Sequence, residues 1–204
     1  MKIVTKFPKG NPGLYSDLIK SGWVPLKEPK NLISAILLSI PLMIVAAIIS
    51  IGIINIFSSF SFGEFGLTSD SISININLGI IFWLFLLLIL HELLHLIFIP
   101  NFIQSEKTYT GLTFFGGFVI TEEEISKSRY LFITIAPFMI LSIIMPFLLG
   151  GLGLLTPTLK FLIILNSMAS SVDILNLLLI IKQVPKHAIL KNNGTNTYWK
   201  HRSM

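Results

Sequence analysis

Cysteine is missing from this 204-residue chain. Its absence excludes a disulfide framework and any thiolate metal site, and leaves His, Asp and Glu as the candidate ligands for a metal. Charge is scarce as well: Asp, Glu, Lys and Arg make up 12% of the residues, against about 25% in an ordinary soluble domain. Apolar residues take their place at 53%, which is a membrane composition. The net charge is +5, but the basic residues gather at the two ends of the chain beside apolar segments. Orientation in a membrane accounts for that placement, and nucleic-acid binding is not expected. The first 30 residues hold six lysines with Pro8, Pro12, Pro25 and Pro29 and no continuous apolar core, so no cleavable signal peptide is expected.

Four stretches, roughly 32–57, 78–99, 130–150 and 159–181, are long and apolar enough to cross a hydrocarbon core of about 30 Å. The fold class expected is therefore an all-α membrane protein of four transmembrane helices, with a short β-hairpin or re-entrant segment after the second. That segment is placed at 108–120, where β-branched and aromatic residues mix with Gly111, Gly116 and Gly117. The linker 58–77 carries Glu64 and Asp70 but no Lys or Arg, whereas both chain ends are basic. By the positive-inside rule both termini face the cytoplasm, and the protein is integral to the cytoplasmic membrane in contact with the lipid bilayer. The organisation expected is a cytoplasmic N-terminal segment 1–31, a four-span domain 32–181 and a basic cytoplasmic tail 182–204. The tail reads as loosely ordered, with Tyr198 and Trp199 as interface anchors.

Of the ten acidic residues, Glu92 and Asp173 alone fall inside the four apolar stretches, together with His91 and His95. An ionisable group at membrane depth costs at least about 2.5–3.5 kcal/mol, so its presence there points to function. Residues 91–95 read HELLH. On a helix the four-residue spacing sets both imidazoles on one face, able to hold a single ion, with the intervening carboxylate beside them. Zinc lowers the pKa of a bound water to about 7, and Glu92 in that position acts as general base and returns the proton to a leaving amine. The zinc ligands expected here are His91 and His95, the cofactor Zn2+, and the catalytic residue Glu92.

A catalytic zinc needs a third protein ligand. Asp173 is favoured, because Asn166, Ser170, Asp173 and Asn176 recur at steps of four, three and three and define one polar face of the fourth span. The rivals are Glu122, Glu123 and Glu124, which precede Lys127 and Arg129 at the mouth of the third span and read more simply as a solvated charge cluster. Asn166, Ser170 and Asn176 are either groups that orient ligands and substrate or interhelical hydrogen-bond glue. His91 lies about 12 Å below the cytoplasmic end of its span at 1.5 Å per residue, so water enters most directly from that side. An open strand edge in the following hairpin would let an unwound peptide add to it and present a peptide bond to the metal. Phe114, Phe115 and Phe118 read as residues that seal the bundle.

HELLH within a membrane helix, a β-like segment ending in FFGG (114–117) and an N…D pattern in the last span together resemble the site-2 protease group of intramembrane metalloproteases. In that group a Gly-Gly element follows the HExxH helix and an aspartate preceded by an asparagine motif is the third ligand. The resemblance implies that role for Asp173 within NSMASSVDILN (166–176), and a substrate-positioning role for Gly116 and Gly117. The Asp-Gly pair of that group is Asp173-Ile174 here, and the prolines of its asparagine motif are missing. From the GW at 22–23 through SRYLFITIAPF (128–138) to Asp173, the chain also resembles a family of small prokaryotic membrane proteins of unknown function described as zincin peptidases. Both resemblances imply an integral-membrane zinc metallopeptidase acting on a membrane-embedded or membrane-proximal polypeptide. Two other classes fit the same residues: a non-catalytic zinc-binding scaffold or regulator, and a metal or proton transporter. The intact Glu92 argues against the first, and four spans without an internal repeat argue against the second.

Overall fold

The computed structural model describes residues 1–66, 71, 78–113 and 116–201. Asp70, Phe114, Phe115 and Arg202 lie outside the described residues. In chain order the elements are β1 (Lys2–Ile3), α1 (Pro12–Lys20), β2 (Val24–Pro25), α2 (Leu32–Phe57), a 3-10 turn (Phe62–Phe65), α3 (Leu78–Ile97), β3 (Thr108–Thr113), β4 (Gly116–Thr121) and β5 (Ile125–Ser126). They continue with α4 (Lys127–Pro137), a π-helical stretch (Phe138–Ile144), α5 (Met145–Gly151), α6 (Pro157–Ala169), α7 (Ser171–Gln183), β6 (Ala188–Asn193) and β7 (Asn196–His201).

Among the described residues four helical segments are long and apolar enough to cross a membrane: Leu32–Phe57, Leu78–Ile97, Lys127–Gly151 and Pro157–Gln183. They agree with the four apolar runs to within a few residues, and the protein is a multi-pass membrane protein by that criterion. The first is started by a reciprocal cap, in which Asn31 Oδ1 accepts from the Ser34 N–H at 2.8 Å and Ser34 Oγ accepts from the Asn31 N–H at 3.2 Å. The last two spans are interrupted. Pro137 and Pro146 flank the π-helical stretch of the third. The fourth breaks at Ser170 (φ −68°, ψ 0°) into α6 and α7.

The expectation of an all-α protein with one hairpin needs correction, because among the described residues seven strands form two sheets. One sheet has the order β1-β3-β4, with β1 parallel to β3 and β4 antiparallel to it; the other has the order β2-β7-β6-β5. The hairpin after the second span is present as expected. The second sheet was missed because its strands come from segments read as polar extensions. The tail is not loose: β6 and β7 pair over six residues around Asn193-Gly194, where Gly194 takes φ +61°. The loop residues are Gly194 and Thr195, and Gly-X is a two-residue hairpin signal that the surrounding polarity diluted here. Leu190 (0% exposed) and Ala188 pack with Trp199 and Leu26 against Ile180 and Val184. On the other face Tyr198 and Ile189 pack with Leu14, Leu18 and Trp23, so α1 covers this sheet. Tyr198, 4% exposed, is therefore a core residue and not an interface anchor, and the half-buried Trp199 packs against the core on the other face.

Candidate metal centre

The two histidines of α3 continue an apolar stripe of that helix. Leu84, Leu88, His91 and His95 follow one another at steps of four, three and four and face a cavity of about 790 Å³. From the opposite wall α7 presents Asp173 in its first turn, where the helix N-terminus favours a carboxylate. Asp173 Oδ2 lies 3.3 Å from His91 Nε2 and 3.6 Å from His95 Nε2. Among the described residues these three are the group of His and acidic side chains whose donor atoms all lie within 4.8 Å of one another.

Two nitrogens and an oxygen at these separations suit one small ion. Arms of about 2.0–2.2 Å at tetrahedral angles place neighbouring donors about 3.3–3.6 Å apart. The protonation of both rings is also set for it. His95 Nδ1 is 2.8 Å from the carbonyl of Ile133, which can only accept, so Nδ1 carries the proton and Nε2 offers its lone pair. That carbonyl is available because the residue four positions on is Pro137, which has no N–H to give it. His91 Nδ1 is 2.9 Å from Asn166 Oδ1. Asn166 Nδ2 is already directed to the Ser142 hydroxyl at 2.8 Å and the Pro137 carbonyl at 3.3 Å, so its oxygen faces His91 and accepts. Asn166 is 1% exposed and Ser142 0%. Outer partners of this kind fix ligand orientation and raise ligand basicity. The roles of Ile133, Pro137 and Ser142 were missed from the sequence. The one available signal was Pro137 inside an apolar span.

Glu92 lines the same cavity, one residue along α3 from His91. It is held against β4: a Cβ on Gly117 would sit 2.7 Å from Glu92 Oε1 and closer still to its Cγ, so a residue without a side chain is required there. Gly116, at φ +133°, also lines the cavity and lies in backbone space open chiefly to glycine. Asn176 lines the cavity one turn beyond Asp173. Ser170 sits apart from the cavity, fully buried, and its hydroxyl donates to the Asn166 carbonyl at 2.9 Å. The polar face read as a single helical stripe is thus divided by the break at Ser170, with Asn166 on one half-helix and Asp173 and Asn176 on the other. The three rival glutamates face away from the group. Glu122 accepts from the Gly194 N–H at 3.4 Å, Glu123 from Ser105 Oγ at 2.8 Å, and Glu124 is 3.9 Å from Lys191. Phe118, read as a residue that seals the bundle, is 6% exposed and lines the cavity.

No curated protein and no solved structure matches this chain. Residues 84–189, just over half of its length, match the model of a family described as "Putative zincin peptidase". That window contains His91, Glu92, His95, Asn166 and Asp173, and it excludes α2 and the N-terminal segment. A match of that extent, over the part of the chain that builds the His, His, Asp group, makes this protein a member of the zincin peptidase family.

Proposed function

We propose that the protein is an integral-membrane zinc metallopeptidase of the site-2 protease type, in which His91, His95 and Asp173 hold the ion and Glu92 is the general base. The observation that carries this reading is the convergence of two Nε2 atoms and one carboxylate oxygen within 4.8 Å of one another, next to a glutamate that no ligand role occupies. Bound zinc would supply Lewis acidity, acidifying water and polarising a carbonyl. The rest of the chemistry belongs to the chain. Glu92 takes the proton from water and delivers it to the leaving amine. Gly117 fixes the carboxylate from one side, while Asn166 and the Ile133 carbonyl hold the two rings.

A substrate within or beside the bilayer fits the surroundings. The cavity lies between α2 and α3, lined by Leu32, Ile36 and Met43 from one and Leu84, Leu87 and Leu88 from the other, whereas α2 packs along α6 and α7 and α3 along α4 and α6. Among the described residues β4 pairs with β3 alone, and Gly117, Phe118 and Val119, from alternate faces of β4, all line the cavity. The unpaired edge of β4 therefore borders the cavity, where an unwound peptide can add to it as a further strand. The terminal segments and residues 108–126 share the two sheets, which supports placing both termini on one side, the cytoplasmic one by charge.

Zinc content of the detergent-purified protein, with hydrolysis of a quenched-fluorescent transmembrane peptide library in proteoliposomes, tests the proposal. The expected result is about one zinc per chain, lost in His91→Ala and Asp173→Ala and kept in Glu122→Ala. Glu92→Gln should keep zinc and lose hydrolysis by about a hundredfold or more. A wild-type protein that holds no zinc after reconstitution would overturn the proposal.

A further inference from the structure

Residues 1–11 lie outside the family-matched region yet reach the site. β1 pairs with β3 through Lys2 and Ile3, and the Val4 N–H donates to the Thr110 carbonyl at 2.9 Å. The Val4 carbonyl lies so close over Gly111 that a Cβ there would collide with it. Farther on, the chain is pinned to the β6–β7 turn. The Asn11 N–H donates to Asn193 Oδ1 at 2.8 Å, Asn193 Nδ2 donates to the Asn11 carbonyl at 3.0 Å, and Gly194 abuts the backbone of Lys9 and Gly10. Asn193 is 2% exposed. The segment is thus a strap fastened to one sheet near its start and to the other at its end.

Between the two fastenings Phe7 lines the cavity and packs on Phe118, with ring centroids 4.6 Å apart and planes at 35°. Gly117 and Phe118 point to opposite faces of β4 because successive side chains of a strand alternate. Gly117 is the residue against Glu92. Phe118 is cross-strand from Gly111, the residue under the Val4 carbonyl, so the strap runs over the face away from α3. A peptide paired with β4 would send alternate side chains towards Glu92 and towards this aromatic pair. The cavity retains about 790 Å³ with Phe7 in place, a volume within the range of ligand pockets. Phe7 is therefore a wall of the cavity and not a plug in it.

We propose that Phe7, carried by the strap and backed by Phe118, is a specificity-determining residue that forms an apolar pocket for a large aliphatic or aromatic side chain of the peptide; this rests on the metallopeptidase reading above. The test is binding, not turnover, of three probes to the zinc-loaded protein in detergent: trileucine hydroxamate, trialanine hydroxamate and acetohydroxamate, the last able to grip the metal and nothing else. Wild type should prefer the leucine probe, and Phe7→Ala should cut that preference about tenfold while leaving acetohydroxamate binding unchanged. Phe7→Leu should restore most of the preference and guards against a folding defect in the alanine variant. An undiminished leucine preference in Phe7→Ala would overturn the pocket and leave the metallopeptidase reading standing. Equal tightening of both peptide probes would also overturn it, because Phe7 would then be an obstruction. Wild-type protein that holds zinc but does not bind acetohydroxamate would sink the metallopeptidase reading itself.

Discussion

Two charged clusters lie among the helices of this protein, and they are built to opposite ends. At one, Lys160 at the start of α6 is 3% exposed and places its ammonium 2.9 Å from both oxygens of Glu64 and 2.7 Å from the carbonyl of Ser59. The three donors of the ammonium meet three acceptors, so the buried cation has no N–H left over for a ligand. At the other, His91, His95 and Asp173 turn their free donor atoms towards one another while every outward-facing nitrogen is tied to a neighbour. A cavity opens beside that group. Charge inside a membrane bundle is thus insufficient to mark a site; what marks it is a set of ligand-type atoms that the protein turns towards one point beside a cavity.

The sharpest way to break this comparison is to disturb the open cluster without touching a ligand. Gly117→Ala places a methyl group against the Glu92 carboxylate, and displacing a catalytic group by about 1 Å costs on the order of a hundredfold in rate. Zinc content should stay at the wild-type level, so unchanged hydrolysis would remove Gly117 from the site. Next comes Pro137→Ala, which restores an N–H able to bond the Ile133 carbonyl and take it from His95. Loss of an outer partner typically weakens metal affinity about 10- to 100-fold. Competition with a chelator should show a fall of that order for Pro137→Ala and Asn166→Ala alike, and wild-type affinity in either would refute the account of ring orientation. The smallest effect on the site belongs to the closed cluster. Lys160→Met should lower the melting temperature by about 3–6 °C, with zinc affinity and hydrolysis unaltered. A loss of zinc in that variant would erase the distinction between the two clusters.

Much of the open cluster was legible because its chemistry is local. HELLH fixes two imidazoles and a carboxylate on one turn of helix, whatever that helix packs against. Asp173 stood out because an acid in an apolar span has few reasons to be there. Ile133 could not stand out: its contribution is a backbone carbonyl, freed by a proline and aimed at a ring 38 residues away in sequence. Lys160 lies at the start of the fourth span and its partner Glu64 in the linker before the second, 96 residues apart in sequence. Their pairing is a matter of how the chain returns on itself.

The strands show the same division. β3 and β4 are neighbours joined by a short link, so composition and glycine spacing revealed their hairpin. β1 joins β3, and β2 and β5 join the β6–β7 hairpin, only when the fold brings segments distant in sequence together. Two-residue strands such as β1 and β2 carry too few residues to show a period.

By itself the sequence determined the four membrane spans, the HELLH triad and an acidic partner for it. Each of these rests on hydrophobic length or on helical periodicity, and both are properties of residues near one another in the chain. The tertiary structure alone decided that Asp173 rather than Glu122, Glu123 or Glu124 meets the histidines, that Asn166 and a proline-freed carbonyl orient the rings, and that a strap from the other end of the chain brings Phe7 to the cavity. Those are relations between segments far apart in sequence, and they exist only once the packing of helices and sheets has set the distances between them.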